Sequence, residues 1–530
     1  MSVKKYGVFI AYSAVVDLRR EGLGRHLAAF VRGAAGRDDI RLVLAYPWWL
    51  QGALESLFEE EGISFSSFEA LNTKKNPILL SCYNFLRRWK KRRRKEEGRH
   101  SKLFDLFNRM RSKSLRGLVS ARGITGFVCY GGACCLIFGL PALGYFVKNV
   151  LCGMKFFRKN RLLSFVKNKF FLSHEELKKD RLVSHLYSMM EEGELSKLVD
   201  LVNSRDDVQA WYCPTSFWPH FNNVQKPKLT CLPDVVLSDF PIKFAELNSR
   251  FPISYDRVKT TLLGGEHFVT YSEYVKWHTL VGKFAHSPEK VHVIRHGASV
   301  LNEYLTVDAG ENSLAATESF SRSLMLSALK KSPLKYGREF QNPDVEFLFY
   351  ASQFRPNKNI YTLLQAFRLL LRSHYRQIKL VLTGTTEALP ELDELIRNLE
   401  LENDVLCLHG LTTQELAACY NKAQLSVNPT LFEGGFPFTF TESLSVGTPV
   451  VMSRIPVVTE CITDATLDNV MLFDPYDSVD MANRILWALD NREALFEMQE
   501  PLYKNMIQRS WKHVVTDHFE VLDQIGIERC

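Results

Sequence analysis

The carboxyl-terminal half alternates short apolar runs with amphipathic segments, and this alternation restricts the fold more than any other feature. The runs 346–351 (EFLFYA), 378–383 (IKLVLT) and 405–408 (VLCL) are apolar and rich in β-branched and aromatic residues, as buried strands are. Between the first two, residues 360–371 carry apolar side chains at three- and four-residue spacing, which is typical of a helix packed on one side. The alternation predicts a doubly wound α/β domain with a parallel sheet.

The amino-terminal half begins with the same alternation. Residues 6–12 (YGVFIAY) and 39–46 (DIRLVLAY) are predicted strands, and a glycine turn at residues 21–24 and a helix lie between them. Strand, turn, helix and strand in this order are the pattern of a βαβ unit. Residues 1–13 lack the long apolar region and the cleavage site of a signal peptide, so we interpret them as part of a strand.

The chain has 530 residues, more than one hydrophobic core usually spans, and this predicts at least two domains. Strand-like patterns stop after about residue 76 and return near residues 209–214, which indicates an insertion, and residues 302–343 are interpreted as a linker. The predicted units are a first domain of residues 1–76 and 204–335, an insertion of residues 77–203, a second domain of residues 336–507, and a closing helix, 508–530, packed back on the first domain.

The positive charge of the chain is concentrated in the predicted insertion. Residues 85–170 carry 22 Lys and Arg against three acidic residues, a net charge of +19, so the remaining residues together carry −11 within the total of +8. This asymmetry predicts a local anionic partner. Nucleic acid is not the expected partner, because the aromatic residues near the basic cluster at 87–95 are not interleaved as a base-stacking surface requires.

An uncharged stretch of 25 residues, 123–147, lies inside this basic segment. About 20 apolar residues suffice to cross a bilayer, but a single crossing would place the two parts of the first sheet on opposite sides. The basic flanks favour the cytoplasmic side. We therefore predict a re-entrant or interfacial hairpin that binds an anionic membrane surface through residues 85–170. A buried helical hairpin beside a solvated basic helix is the alternative.

The eleven cysteines are scattered and show no C-x-x-C spacing. Such a pattern fits reduced thiols better than a disulfide framework or a structural metal site. Together with the basic flanks of the apolar stretch, it predicts a cytoplasmic protein on the cytoplasmic face of a membrane.

The segment 428–451 (NPTLFEGGFPFTFTESLSVGTPVV) is the most informative for chemistry. A strand ends there, a turn with Gly434 and Gly435 lets the backbone approach a ligand, and a helix follows. The free N–H groups at the start of that helix suit a diphosphate. Glu433 and Glu442 lie at the two ends of the unit and could accept hydrogen bonds from a ribose or sugar diol. An isolated motif of this kind more often marks a glycine turn before an ordinary amphipathic helix.

A second loop, 351–359 (ASQFRPNKN), follows the predicted strand at 346–351. Arg355 and Lys358 would lie at the carboxyl edge of the sheet, where ligands bind in open α/β folds. Two cations at that edge can neutralise a leaving diphosphate. Alone, such a loop is more often solvated than part of a site.

Together, these segments resemble the donor-binding domain of the retaining GT-B glycosyltransferases grouped as family 4 (glycosyl transferases group 1). Residues 352–359 resemble the family's G-R-x-x-P-x-K-N segment, residues 405–423 resemble the stretch that faces the base, and residues 433–451 resemble its E-x7-E motif. Glu460 and residues 473–475 match the later positions. The resemblance implies the α/β fold called GT-B: two Rossmann-like domains facing a central cleft, here with a helical basic and apolar insertion in the first.

The resemblance also implies roles for single residues. Those carried over to donor binding are Arg355, Lys358, Gly434, Gly435, Phe436, Glu442, His409 and Leu411. Arg355 and Lys358 would bind the diphosphate, and Glu442 the ribose hydroxyls. Glu433 would contact the transferred sugar, with Asp234 as the second candidate catalytic residue. No obligatory metal is expected, because cationic side chains and the helix N-terminus replace it.

Three departures from the family pattern affect these roles. Glu433 and Glu442 are separated by eight residues instead of seven, and Gln353 stands where an arginine is usual. Pro233-Asp234 replaces the histidine–aspartate pair of the first domain. Asp234 can serve the acceptor side, and a capping or turn role is equally open.

The first domain resembles the family less. Gly22 and Gly24 fit its acceptor-side glycine loop, and residues 293–297 (VIRHG) fit a second family mark. His296 within that mark is a lone histidine, for which a structural role is favoured.

The resemblance implies transfer of a sugar, with retention, from a nucleotide diphosphate to a lipid-linked or cell-surface glycan. It slightly favours GDP-mannose over a UDP-sugar, through the Q-F-R-P-x-K segment alone. The altered spacing of the glutamates motivates an alternative from another class, a non-catalytic sugar-nucleotide-binding or scaffold protein.

The basic segment generates the first prediction. Full-length protein is expected to float with liposomes that contain anionic lipid, because each Lys or Arg near such a surface contributes about 1 kcal/mol. A variant without residues 85–170 is expected to stay in the dense fraction, and neutral liposomes are the control. Flotation that persists after the deletion would contradict the assignment.

Overall fold

The computed structural model describes residues 3–14, 16, 18, 22–77, 80, 181–236, 250–308, 310–332, 345–384, 389 and 391–527. The basic segment 85–170 and the apolar stretch 123–147, on which the membrane prediction rests, lie outside the described residues. Within the described ranges, no helix combines the length and apolar character that crossing a membrane requires.

Seven parallel strands form the first sheet, in the order β3-β2-β1-β4-β5-β6-β7. Its strands are β1 (Lys4–Phe9), β2 (Ile40–Tyr46), β3 (Phe68–Asn72), β4 (Ala210–Cys213), β5 (Lys228–Leu232), β6 (His267–Thr270) and β7 (Val291–Val293). The helices of this part are α1 (Gly22–Ala35), α2 (Gln51–Glu60), α3 (Arg181–Asn203), α4 (Arg250–Gly264) and a π-helix (Val275–Lys283).

Six parallel strands form the second sheet, in the order β10-β9-β8-β11-β12-β13. Its strands are β8 (Phe347–Ala351), β9 (Lys379–Thr383), β10 (Val405–Leu408), β11 (Leu425–Asn428), β12 (Val450–Ser453) and β13 (Leu472–Phe473). The helices that follow in the chain are α5 (Ser313–Leu329), α6 (Ile360–Arg372), α7 (Glu391–Asn398), α8 (Thr413–Lys422), α9 (Phe438–Ser445), α10 (Pro456–Thr459), α11 (Ala465–Met471), α12 (Ser478–Asp490), α13 (Arg492–Ile507) and α14 (Trp511–Ile527).

The core of the first domain is built on aromatic side chains. Tyr6 and Trp211 are almost fully buried on the neighbouring strands β1 and β4. The final helix α14 adds Phe519, whose ring stacks on that of Tyr6 at 4.8 Å between centroids. Apolar residues of the chain end therefore belong to the first core, although the second domain precedes them in the sequence.

The second domain shows how local sequence fixes its elements. The buried face of α6 is formed by Ile360, Leu363, Leu364, Ala366, Phe367 and Leu370, spaced as the amphipathic pattern requires. Helix α8 begins with a capping box, in which Thr412 accepts a hydrogen bond from the Glu415 N–H and the Glu415 carboxylate accepts one from the Thr412 N–H. The predicted pair of parallel, doubly wound domains is confirmed.

The prediction of a linker at residues 302–343 is wrong for its central part, since α5 occupies residues 313–329. Its buried face, with Met325, Ala328 and Leu329, packs with α8 in a core shared with strands of the second sheet. The serine-rich sequence of α5 has little helical periodicity, so packing rather than local pattern stabilises it.

Three boundaries also differ from the prediction. Helix α1 begins at Gly22, so the predicted turn at 21–24 is partly helical. The pattern of residues 229–237 predicts a strand, but β5 ends at Leu232, and residue 237 lies outside the described residues. The predicted insertion ended at residue 203, but Leu195, Leu198, Val199 and Val202 of α3 are buried in the first core, because they form the apolar face of that helix.

Gly7 generates a prediction about the first core. A Cβ atom at this residue would lie 2.1 Å from Cε3 of the buried Trp211 ring, so Gly7→Ala must displace the indole. We expect a loss of about 1–3 kcal/mol in the free energy of unfolding, as for other overpacked cores, measured by urea unfolding. Gly52→Ala in α2 is the control, because no atom lies within 4 Å of its added methyl. An unchanged Gly7→Ala stability would contradict this packing.

Candidate functional site

The loop after β11 is held in one conformation by short-range hydrogen bonds. The Asn428 amide donates to the Thr439 hydroxyl at 2.7 Å and accepts from the Thr430 N–H at 3.3 Å. Helix α9 then starts after Pro437, which offers no side-chain cap, and its first turn holds no acidic residue. The positive end of the α9 dipole is therefore available to an anion.

The loop before α6 packs against this first loop. The Asn357 carbonyl accepts hydrogen bonds from the Leu431 N–H at 2.8 Å and from the Thr430 hydroxyl at 3.1 Å. The Asn357 amide donates to the Phe432 carbonyl at 3.2 Å. Asn359 completes the turn in the left-handed region, with φ of 55°, a conformation that asparagine tolerates. The two loops therefore form one rigid unit at the carboxyl edge of the second sheet.

This unit places Lys358 against Glu433. The Lys358 ammonium donates a hydrogen bond to Oε1 of the Glu433 carboxylate, and each side chain is 20% exposed. Arg355 is exposed beside them and donates to the Gln353 amide oxygen at 3.1 Å. Two cations and a carboxylate are thus gathered near the start of α9, as an anionic ligand would require.

Asp234 of the first domain belongs to the same group of charges. Burial raises the pKa of its carboxyl above the ordinary value, and the negative charge of Glu433 raises it further, while Lys358 and Arg355 act in the opposite direction. The structure therefore brings together four charged residues that the sequence placed in different domains. The catalytic roles of Glu433 and Asp234 stay predictions.

The two glycines of the loop lie directly against the first domain. A Cβ at Gly434 would stand 1.5 Å from the Pro233 carbonyl oxygen, and one at Gly435 would stand 2.8 Å from Cβ of Tyr271. The Ser272 hydroxyl also donates to the Gly434 carbonyl at 2.9 Å. No side chain fits at Gly434, because the backbones of the two domains approach each other closely there.

Glu442 lies where the chain passes from one domain to the other. The Ser299 hydroxyl donates to Oε1 of its carboxylate at 3.1 Å, and the Tyr420 hydroxyl donates to Oε2 at 3.1 Å. The residue is 8% exposed. Its contact with ribose stays a prediction. The structure adds a second role for the same carboxylate, because its bond with Ser299 holds the segment that joins the two domains.

The other residues predicted for donor binding lie on the same sheet edge or beside it. His409 follows β10 and is exposed, while Leu411 is half-buried against the core that contains α5 and α8. Phe436 is half-buried and makes an edge contact with the Phe440 ring at 5.4 Å between centroids. Their backbone contacts with a ligand stay predictions.

The glycine pair of the first domain is placed differently from the expectation. Gly22 and Gly24 both lie in the first turn of α1 rather than in a loop before it. A Cβ at Gly24 would stand 1.9 Å from the Leu18 carbonyl oxygen, so this glycine allows the preceding chain to fold over the helix start. That close approach is a structural reason for Gly24.

Glu460 links the domains, a role that the sequence did not predict although the position matched the family. Its carboxylate accepts hydrogen bonds from the N–H groups of Glu273 and Tyr274, both at 3.1 Å. The Arg295 guanidinium donates to it at 3.1 Å as well. Because these N–H groups open the π-helix of the first domain, a carboxylate of the second domain caps a helix of the first.

A cavity of about 350 Å³ lies beside this contact and is lined by residues of both domains. His296 is among them, and its ring lies 4.0 Å from that of Phe438 between centroids. Burial lowers the pKa of His296, so the imidazole is held in its neutral form more firmly than usual. The structural role expected for this histidine stays a prediction.

In the part of the chain that the structure describes, no group of three His, Cys, Asp or Glu side chains could hold a metal ion.

Comparison with known proteins identifies the second domain. Residues 337–510 match the model of the family described as glycosyl transferases group 1, and the match covers about a third of the chain. This part is a group 1 glycosyltransferase domain, as the sequence motifs predicted. This match does not extend to the assignment to family 4 or to retaining enzymes, which stays a prediction.

Two of the curated relatives are similar to part of this chain. The O-antigen chain mannosyltransferase RfbU of Salmonella typhimurium is 29% identical over 145 residues, which are 27% of this chain and 39% of the relative. The alpha-monoglucosyldiacylglycerol synthase of Streptococcus pneumoniae is 29% identical over 169 residues, which are 32% of this chain and 37% of the relative. The chain thus spans about two fifths of the length of these relatives.

Solved structures match over nearly the whole chain. Anabaena Alr3699/HepE in complex with UDP-glucose has a TM-score of 0.53 and 13% identity, with 98% of this chain and 99% of that chain covered. The sucrose-phosphate synthase of Thermosynechococcus elongatus has a TM-score of 0.55 and 10% identity, with coverages of 99% and 100%. At these identities the likeness shows the fold alone, and the predicted GT-B arrangement is confirmed.

The glycine contact generates a prediction about domain closure. Gly434→Ala adds a methyl group where the Pro233 carbonyl oxygen lies, so the two domains must move apart. We expect a larger radius of gyration in small-angle X-ray scattering. Gly36→Ala is the control, since its methyl would meet no atom within 4 Å. If both variants scatter like the parent, the loop does not pack on the first domain as described.

Proposed function

We propose that this protein is a retaining glycosyltransferase that moves a sugar from a nucleotide diphosphate donor to a glycan acceptor. The observation that carries the proposal is the meeting of Lys358 and Glu433 next to the free start of α9, facing Asp234 of the first domain. The group 1 match of the second domain supports the reaction class.

The donor diphosphate would bind between the two loops. Lys358 would exchange its bond with Glu433 for one with a phosphate oxygen, and Arg355 would add a second cation. The N–H groups at the start of α9 would provide neutral donors along the helix dipole. This arrangement stabilises the negative charge that develops on the leaving diphosphate, and it requires only side chains and backbone of this chain.

Once Lys358 binds phosphate, the Glu433 carboxylate is available to the transferred sugar. It can accept a hydrogen bond from a sugar hydroxyl and stabilise positive charge near the anomeric carbon. The acceptor hydroxyl would approach from the same face as the leaving diphosphate, which gives retention. Asp234 of the first domain would serve the acceptor side of this centre and orient that hydroxyl.

The donor is proposed to be GDP-mannose, with a UDP-sugar as the other choice. The Q-F-R-P-x-K segment and the similarity to the Salmonella mannosyltransferase support mannose. The UDP-glucose complex of the Anabaena protein concerns a chain that shares only the fold. The acceptor is proposed to be lipid-linked or cell-surface glycan, in line with the O-antigen chain and glycolipid products that the relatives' names state.

We further propose that the protein works on the cytoplasmic face of a membrane. The charge of residues 85–170 and the uncharged stretch they contain are the support for this location. A membrane-bound acceptor would then be presented to the cleft by the same chain that binds the donor.

The function is tested by donor binding and transfer. A nucleotide that binds only the folded state raises thermal stability, so GDP, UDP and their sugars are compared by thermal unfolding, and transfer to lipid-linked acceptors is followed by mass spectrometry. Lys358→Ala is expected to lower transfer about 10²-fold or more, as loss of one stabilising donor does, and to weaken nucleotide stabilisation.

Lys379→Ala is the matched control. Lys379 also pairs with a carboxylate, that of Asp404 at 2.6 Å, but it lies at the amino-terminal end of β9, away from the site. Full transfer in Lys358→Ala would overturn the site. Nucleotide stabilisation without transfer or donor hydrolysis in the parent protein would instead support the non-catalytic alternative.

A further inference from the structure

Aromatic side chains follow three neighbouring strands of the first sheet. Tyr12 comes after β1, Trp48 and Trp49 come after β2, and Phe217 and Trp218 come after β4. The carboxyl ends of parallel strands lie at one edge of the sheet. Because β2, β1 and β4 are neighbours in the sheet, in that order, these five residues lie at the same edge. We call them the aromatic cluster.

Contacts join three members of the aromatic cluster, Tyr12, Trp49 and Trp218, and the backbone N–H of Trp48 donates to Thr73. The Trp49 indole N–H donates to the Tyr12 carbonyl at 2.8 Å, which joins the β1 and β2 ends. The Tyr12 ring meets the Trp218 ring edge to face at 5.1 Å between centroids, which joins the β1 and β4 ends. An ordered cluster loses little conformational entropy when a ligand binds.

Part of the aromatic cluster is accessible. Phe217 is 47% exposed, and Tyr12, Trp48 and Trp49 are partly exposed, whereas Trp218 is buried beneath them. Exposed aromatic side chains at a ligand-binding edge offer large flat apolar surfaces, which suit binding more than stability.

The polar groups near the rings are amides and hydroxyls, among them that of the buried Tyr46, together with the Glu55 carboxylate, which accepts a hydrogen bond from the Gln51 amide at 2.7 Å. The Tyr46 hydroxyl donates to the Gln51 amide oxygen at 2.5 Å, and the Asn72 amide donates to the Tyr46 hydroxyl at 3.3 Å. The Thr73 hydroxyl accepts from the Trp48 N–H at 3.1 Å. Flat apolar faces next to neutral donors and acceptors match a sugar ring, which has one C–H face and a rim of hydroxyl groups.

The aromatic cluster is continuous with the proposed reaction centre. In the sheet, β4 is followed by β5, and Asp234 comes directly after β5. Three strand spacings separate β5 from β2, which is about 14 Å along the edge. That length exceeds a single sugar ring, so a ligand that reaches from Asp234 to Trp48 consists of several rings.

We propose that the aromatic cluster binds the sugar units of the acceptor that lie behind the reacting one, so that the protein selects an oligosaccharide over a monosaccharide acceptor. The inference rests on the proposed function, because that function places the acceptor at this edge. Phe217 and Trp48 supply the stacking surfaces, and Tyr12 and Trp49 hold them in register. The cluster determines acceptor length and takes no part in the chemistry.

The test measures saccharide binding without any donor. Full-length protein is titrated with mannotetraose, maltotetraose and tetraacetylchitotetraose, each compared with its monosaccharide, by saturation-transfer NMR and tryptophan fluorescence. At least one tetrasaccharide is expected to bind tenfold or more tightly than its monosaccharide. Phe217→Ala and Trp48→Ala are expected to remove that preference, and Tyr375→Asn, which removes an exposed ring from the end of α6 away from the site, is expected to keep it.

Two further readouts separate this inference from the proposed function. Nucleotide stabilisation in thermal unfolding is expected to be the same in Phe217→Ala, Trp48→Ala and the parent, which also shows that the variants fold. If nucleotides bind and sugar is transferred but tetrasaccharides bind no better than monosaccharides, the inference is wrong while the function stands. Tetrasaccharide binding that survives both substitutions, or fluorescence quenching by phosphatidylglycerol vesicles in place of saccharides, would also overturn it.

Discussion

The contact between the backbone at Gly434 and the Pro233 carbonyl is the constraint on which the site depends. It sets the distance between the carboxyl edges of two parallel sheets, and therefore the distance between Asp234 on one side and Glu433 on the other. Any side chain at Gly434 would hold these edges apart. In the proposed transfer reaction, a donor and an acceptor held at these edges would be positioned before they react.

The charged residues around this contact form two sets: those that bond one domain to the other, and those that face the proposed ligand. Glu460 caps the π-helix of the opposite domain, and Glu442 accepts hydrogen bonds from the hydroxyl groups of Ser299 and Tyr420. Carboxylates of the second domain thus hold the first domain against it, while Lys358 and Arg355 face the proposed diphosphate site. Because interdomain bonds and ligand bonds use neighbouring residues, donor binding and domain closure are expected to be coupled.

The second domain was predictable from its sequence to a large extent, since its signals are local. Thr412 and Glu415 form the capping box of α8 within four residues, and the apolar spacing of α6 gave its buried face. Helix α5 was missed, because its stability comes from packing with α8 rather than from its own pattern. Helix α1 began earlier than expected, because Gly24 looked like part of a turn and serves instead as a contact point for the Leu18 carbonyl.

By itself the sequence determined the alternation of strands and helices, the loop chemistry around Lys358 and Glu433, and the concentration of charge in residues 85–170. These follow from interactions within a few residues, which a linear pattern records. Only the tertiary structure decided that Lys358 binds Glu433, that Asp234 joins them, and that the aromatic cluster assembles along three strand ends. Those relations connect residues that are tens to hundreds of positions apart, and only the folding of the chain into two parallel sheets brings them close together.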